Sequence, residues 1–208
     1  MDATEQLFWS LMRRFEMLAV DRYQATAVAL LTDKKLALVR ELARAASGDA
    51  ALGASDLREP IDALLSAARG TSEAATLLIQ GLLLEPLGRA IYRGVSSSAA
   101  LGEAGRALAS LGESASDEVC ALAPALVGQR VGKGEPLYAE FAEATQGVLQ
   151  QLDRIGEVLD RHFADKLQLR FADLVGEVAS ELLPTCAALG MNRRKVVCHL
   201  TNALMSAA

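Results

Sequence analysis

Residues 71–94, TSEAATLLIQGLLLEPLGRAIYRG, decide the fold. Leu77, Leu78, Ile79, Leu82, Leu83, Leu84, Leu87 and Ile91 point in nearly every direction around a helix of 3.6 residues per turn. A helix that is apolar all round is buried on most sides, so this segment is expected to be the core helix. Thr71 or Ser72 can cap it. Pro86 deletes the hydrogen bond back to residue 82, and a kink is expected there. Gly81 and Gly88 allow close helix contacts.

The wider composition agrees. Of 208 residues, 51% are hydrophobic, mostly Ala, Leu and Val, and only 4% are aromatic. That balance favours helix over strand and is rich enough for a sizeable core. The sequence therefore predicts an all-α, multi-helix bundle of about seven to nine helices in a single domain, 1–208. The net charge of −5 argues against attraction of the whole chain to nucleic acid or to anionic membranes. The acidic start MDATEQ is unlike a secretory signal, and the apolar run 74–84 is too short to span a bilayer. Cys120, Cys186 and Cys198 form no C-x-x-C pair and read as reduced thiols. A cytoplasmic protein without membrane insertion is expected.

Toward the N-terminus, Asp2 followed by Glu5 looks like a capping box. Leu7, Leu11, Phe15 and Leu18 then mark one helical stripe. Phe8, Trp9, Met12, Tyr23 and Leu30 widen the apolar surface. Such breadth suits a core helix or a partner-facing one, so Phe8, Trp9, Met12, Phe15 and Tyr23 are the candidate interface. Thr32-Asp33 is expected to break the helix, with Leu36, Val39, Leu42 and Ala46 continuing its period beyond. Ser47-Gly48-Asp49 should end that element. A short helix is expected over 56–69, with Gly70 as its stop.

Toward the C-terminus, Ser96–Ser98 and Ser114–Ser116 look like two helix starts, predicting short helices over 98–111 and 116–127. Gly128–Gly134, GQRVGKG, is the clearest loop and a candidate sub-boundary spanning 128–135. It is not a P-loop, because three residues rather than four precede its Gly-Lys pair and no Ser or Thr follows. The periodic stretch 136–183 predicts one very long helix, or two with a bend near 162–165.

Residues 184–206 carry the most specific pattern. Pro184 can open a short helix, Gly190 can take a turn, and Asn192 can cap a second helix from Arg193. Cys186, Leu189, Met191 and Val196 have the small and apolar character that a DNA-binding helix-turn-helix wants at those places. Residues 189–208 hold three Lys or Arg and no acid. Asn192, Arg193, Arg194, Lys195 and His199 are thus the candidate contacts for DNA or for an acidic partner.

No catalytic arrangement is visible. His162 has Asp160 and Asp165 nearby in sequence and reads as a solvated or salt-bridged histidine. His199 and Cys198, being adjacent on a helix, diverge too far to share a metal. No Glu-x-x-His pair or Gly-x-Ser-x-Gly elbow occurs. No enzyme activity, cofactor or metal is expected. Three functions fit. One is a non-enzymatic interaction or regulatory module, acting as a homodimer or in a complex. Another is a transcription regulator that contacts DNA through 184–206. The third is a small-ligand-binding bundle with its pocket beside Pro86.

Overall fold

The structure, a computed structural model, describes residues 2–26, 29–46, 52, 55–70 and 72–205. Among them are eight helices and no strand. In chain order these are α1 (Ala3–Ala25), α2 (Ala29–Ala45), α3 (Arg58–Ala67), α4 (Glu73–Ser96), α5 (Glu103–Arg130), α6 (Gly134–Leu167), α7 (Phe171–Ala188) and α8 (Arg193–Met205). One continuous apolar core draws side chains from all eight. The all-α bundle is as expected.

Helix α4 is the central element. Every residue from Leu77 to Leu83 is buried, as the all-round apolar pattern requires. It packs on α5, α6 and α7. The Ser72 hydroxyl caps it, accepting the Ala75 N–H at 3.0 Å. Ahead of Pro86 the backbone takes the wider π register over Leu77–Leu84, in which the Glu85 N–H donates to the Gln80 carbonyl. The proline thus follows a local change of winding. By length and composition α4 could cross a membrane, a property the 74–84 run alone did not suggest, but 67% of its most apolar window is buried inside the protein.

Several local expectations hold. Asp2 caps α1, its carboxylate accepting the Glu5 N–H at 2.8 Å. Gly70 lies at φ +59°, in the left-handed conformation of a helix stop. Other boundaries shift. The first break falls between Ala25 and Ala29, so Thr32-Asp33 lies inside α2. The Thr26 hydroxyl there turns back to the Arg22 carbonyl at 2.9 Å. The buried stripe of α2 is Lys35, Leu38, Leu42 and Ala46, not the one through Leu36 and Val39. Residues 47–49 and the Leu30 side chain lie outside the described residues.

The two short helices expected over 98–127 are one helix, α5, with Ser114–Ser116 in its interior. Serine reads as a cap in a sequence, but here Ser116 is buried and engaged by a side chain from another helix. Helix α5 runs to Arg130 and α6 starts at Gly134, so the glycine-rich loop shrinks to residues 131–133. The long periodic stretch divides at 168–170, slightly beyond the predicted bend, where Gln168 adopts φ 56°. Asp160 closes this corner by accepting the Phe171 N–H at 2.6 Å. Pro184 does not open a helix but lies within α7.

The corner between α6 and α7 depends on the absence of a side chain at Gly156. A Cβ there would stand 2.4 Å from the Phe171 ring. Overpacking of this kind costs about 1–3 kcal/mol, against about 0.5–1 kcal/mol that alanine's better helix preference returns. Gly156→Ala is therefore expected to lower the urea midpoint of unfolding. A raised midpoint would show that Phe171 moves aside freely.

Candidate functional site

Sequence pattern first directs attention to the end of the molecule where α7 gives way to α8. The turn between them is a Schellman closure: the Met191 N–H donates to the Cys186 carbonyl at 2.9 Å, around Gly190 at φ +80°. Asn192 caps α8, its side-chain oxygen accepting the N–H groups of Arg194 at 3.0 Å and Lys195 at 3.2 Å. Cys186, Leu189, Met191 and Val196 are all buried. The glycine turn and the capped second helix lie where the spacing put them, whereas the helix before them is the long α7 and not one opened by Pro184.

A second segment joins this end. The Gly134 N–H donates to the Leu189 carbonyl at 2.9 Å, and a Cβ on Gly190 would lie 3.3 Å from the Gly134 nitrogen. The turns of GQRVGKG and GMNRRK therefore sit against each other. The segments flanking these turns carry five cations: Arg130, Lys133, Arg193, Arg194 and Lys195. Two are neutralised, Arg130 by Glu73 at 2.5 Å and Lys195 by Glu135. Lys195 also stands 5.6 Å above the Tyr138 ring. Lys133, Arg193 and Arg194 are exposed, with no carboxylate at ion-pair distance among the described residues.

His199 does not share the exposed face with Arg193 and Arg194. It is 9% exposed, and its Nε2 lies 2.9 Å from the Thr145 hydroxyl. That hydroxyl donates to the Phe141 carbonyl at 2.7 Å, so it is left to accept from the histidine N–H. Burial lowers the His199 pKa, favouring the neutral ring. The residue braces α8 against α6. The His162 Nε2 lies 2.5 Å from an Asp56 carboxylate oxygen rather than against its sequence neighbours.

The N-terminal candidates are corrected in the same way. Phe8, Trp9, Met12 and Tyr23 are at most 2% exposed, and Phe15 packs partly buried against the core. Phe8 meets Trp9 edge-on at 4.7 Å and Phe163 at 5.7 Å. Their breadth around α1 serves the interior of this chain, so they form no exposed interface.

Sequence reading missed a buried charged cluster altogether. Lys35 is 1% exposed, and its ammonium reaches Glu16 at 2.9 Å, Glu85 at 2.6 Å and the Ser116 hydroxyl at 3.0 Å. The second oxygen of Glu16 accepts the Tyr92 hydroxyl at 3.0 Å, and that of Glu85 accepts the Tyr23 hydroxyl at 3.0 Å. The ammonium donates to Ser116 and both phenols are bonded, while Glu16 Oε2 and Glu85 Oε2 face the ammonium as ion pairs. One signal was available. Glu16 and Tyr23 are seven apart on α1, Glu85 and Tyr92 are seven apart on α4, and Lys35 shares a helical stripe with Leu38 and Leu42.

Burial alone would pull the Lys35 ammonium down, but Glu16 and Glu85 outweigh it and hold its pKa above the ordinary lysine value. Burial raises the Glu85 pKa, with Glu16 adding to the effect and Lys35 opposing it. Burial also raises both tyrosines far above their usual range, so they stay protonated donors. Two carboxylates face one ammonium, which leaves one negative charge in excess when both are ionised. No cluster of three metal-ligating side chains occurs among the described residues. Compared with protein-family models and with curated proteins, the chain finds no match.

Removing the ammonium would strand two buried carboxylates. Lys35→Met is expected to destabilise the fold by about 3–5 kcal/mol, the scale for breaking a buried pair from one side. Adding Glu16→Gln and Glu85→Gln should restore most of that in chemical denaturation. A raised folded pKa means that Glu85's contribution is full below its unfolded value and fades as pH rises through the folded one. The stability difference between Glu85→Gln and the parent should accordingly move in favour of the glutamine variant as pH climbs from 4.5 to 8. A pH-independent difference would contradict this sign.

Proposed function

We propose that the chain binds double-stranded DNA through the α7–turn–α8 unit, as a transcription regulator would. The observation that carries the proposal is the meeting of two separate basic segments. Lys133 precedes Gly134, whose N–H bonds the Leu189 carbonyl four residues before Arg193, and Lys133, Arg193 and Arg194 are all exposed and without an ion-pair partner among the described residues. Asn192 already accepts the Arg194 and Lys195 N–H groups, so the contacts to phosphates or base edges would come from the exposed arginine side chains. On α8, Val197, Cys198, Thr201 and Asn202 continue the exposed face beyond the arginines.

This reading is favoured over a protein-interaction module because the apolar surface that motivated the module is internal. One copy offers few phosphate contacts, so the proposal includes two copies acting on adjacent half-sites about 34–36 Å apart. Lys195 and Tyr138 then have a supporting role. The Tyr138 hydroxyl donates to the Lys195 carbonyl at 3.4 Å, and the Lys195 ammonium is committed to Glu135, so together they hold the first turn of α8 onto α6.

With three phosphate contacts per copy, log K should fall against log salt with a slope of about −2.7, or about 40-fold between 50 and 200 mM. Fluorescence anisotropy with a labelled random duplex measures this directly. Arg193→Ala/Arg194→Ala should flatten the slope to about −0.9, whereas Lys195→Ala should change it little. No binding at 50 mM salt, or equal binding by the double variant, would sink the proposal. Binding instead to a polyanionic peptide with the same arginine dependence would assign the surface to an acidic protein partner.

A further inference from the structure

Three small cavities meet around Leu87 on α4, which lines all of them. The middle one, about 30 Å³, lies among α1, α3, α4, α6 and α7. It shares Met12, Phe15 and Ile91 with a cavity of about 50 Å³ beside α2, and Leu152 and Phe171 with another of about 50 Å³ beneath α8. We propose that this row of cavities binds the unbranched alkyl chain of a free small molecule. The proposal does not depend on DNA binding, and either can fail without the other.

Polarity is the first argument. Every side chain lining the middle cavity and the one beneath α8 is apolar. Polar side chains line only the end beside α2, and they are engaged: Lys35 faces Glu16 and Glu85, and Gln80 donates to the Ala68 carbonyl at 2.9 Å. Recognition along the row is therefore of hydrocarbon. Apolar cavities stay dry, so an entering chain displaces no bound water and supplies contacts that the walls lack.

Width is the second argument. A cavity of about 150 Å³ admits benzene, and each of these three is far smaller. A ring finds no single cavity wide enough, whereas a flexible chain can pass from one to the next beside Leu87.

Exposure is the third. Phe15, Ile91, Leu159, Phe171, Leu200 and Leu204 come from five helices, pack against the core only partly buried, and all line the row. Covering them would take further apolar surface from water. A protein partner is a poor cover, because a stable interface takes about 800 Å² from each side. No residue lining the middle cavity or the one beneath α8 is exposed, so what reaches them must be narrow enough to enter. A lipid chain held in a bilayer meets the same obstacle.

Titration calorimetry of the full chain with 1-butanol, 1-hexanol and cyclohexylmethanol tests this. 1-Hexanol should bind saturably and at least tenfold tighter than 1-butanol, since two more methylenes are buried at ~0.8 kcal/mol each. Cyclohexylmethanol, with one carbon more, should bind at least fivefold more weakly than 1-hexanol. No saturable binding of 1-hexanol, no gain over 1-butanol, or equal binding of the ring would each overturn the proposal, and all three are read on the parent chain. Leu87→Ala joins the cavities and should bring cyclohexylmethanol to within twofold of 1-hexanol. Ala179→Leu, which fills the cavity beneath α8 from a half-buried position, should weaken 1-hexanol at least fivefold. An unchanged preference in folded Leu87→Ala, or an unchanged affinity in folded Ala179→Leu, would place the alcohol elsewhere and overturn the site. Cosedimentation with phosphatidylcholine vesicles should leave the protein in solution, and retention on them would overturn the assignment to a free molecule.

Discussion

A single ammonium group, that of Lys35, sets the arrangement of four helices. Glu16 and Tyr23 come from α1, Glu85 and Tyr92 from α4 and Ser116 from α5, and each must arrive within hydrogen-bond reach of a common centre. Glu16 pairs with Tyr92 and Tyr23 with Glu85, so the order reverses between helices and α1 runs antiparallel to α4. Apolar packing tolerates a helix slipping past its neighbour far better than this network does. A shift of one turn would leave buried carboxylates, phenols and an ammonium unpaired, each a large penalty in a region of low dielectric. A well-packed set of apolar side chains could be equally or more stable. What the cluster adds is a fixed register among helices whose facing surfaces are otherwise apolar.

The same cluster shows where sequence reading stops. Features set by local chemistry were legible: the all-round apolar α4, the Asp2 and Asn192 caps, and the left-handed glycines at 70 and 190. Each depends on residues within a few positions of one another. Lys35 was passed over for the opposite reason. On α2 a lysine at a stripe position looks like a solvent-facing residue, and the periodicity then settles on Leu36 and Val39 instead. Only two carboxylates distant in sequence make its burial tolerable. Ser116 misled similarly: a serine cluster reads as a cap, but a serine whose hydroxyl answers a buried ammonium belongs inside a helix.

Apolar breadth on α1 raised a comparable ambiguity. Phe8, Trp9, Met12 and Tyr23 cover more of the helix than one neighbour could bury, and a partner surface was one solution. The other was realised: several elements of the same chain close around α1, with Phe163 of α6 meeting Phe8 edge-on. A one-dimensional pattern reports how much of a helix needs covering, and tertiary structure alone decides what covers it.

Charge in this chain is distributed by the same logic. The net value of −5 describes no particular surface. Along α4, α5 and α7, Arg89 and Arg93 are consumed by carboxylates and the strip remains acidic. Where the turn before α6 meets the turn before α8, Lys133, Arg193 and Arg194 remain unspent among the described residues. Exposed like charges at close quarters repel, and three basic residues in and near the first turn of a helix oppose its dipole. Folding therefore derives no benefit from placing them together. The two glycine turns that bring them together need a hydrogen bond from Gly134 to Leu189 and a left-handed backbone at Gly190. A costly arrangement of unpaired cations, held by specific backbone geometry, is what a surface awaiting an anionic ligand requires. The acidity of the whole chain therefore says little about this basic end.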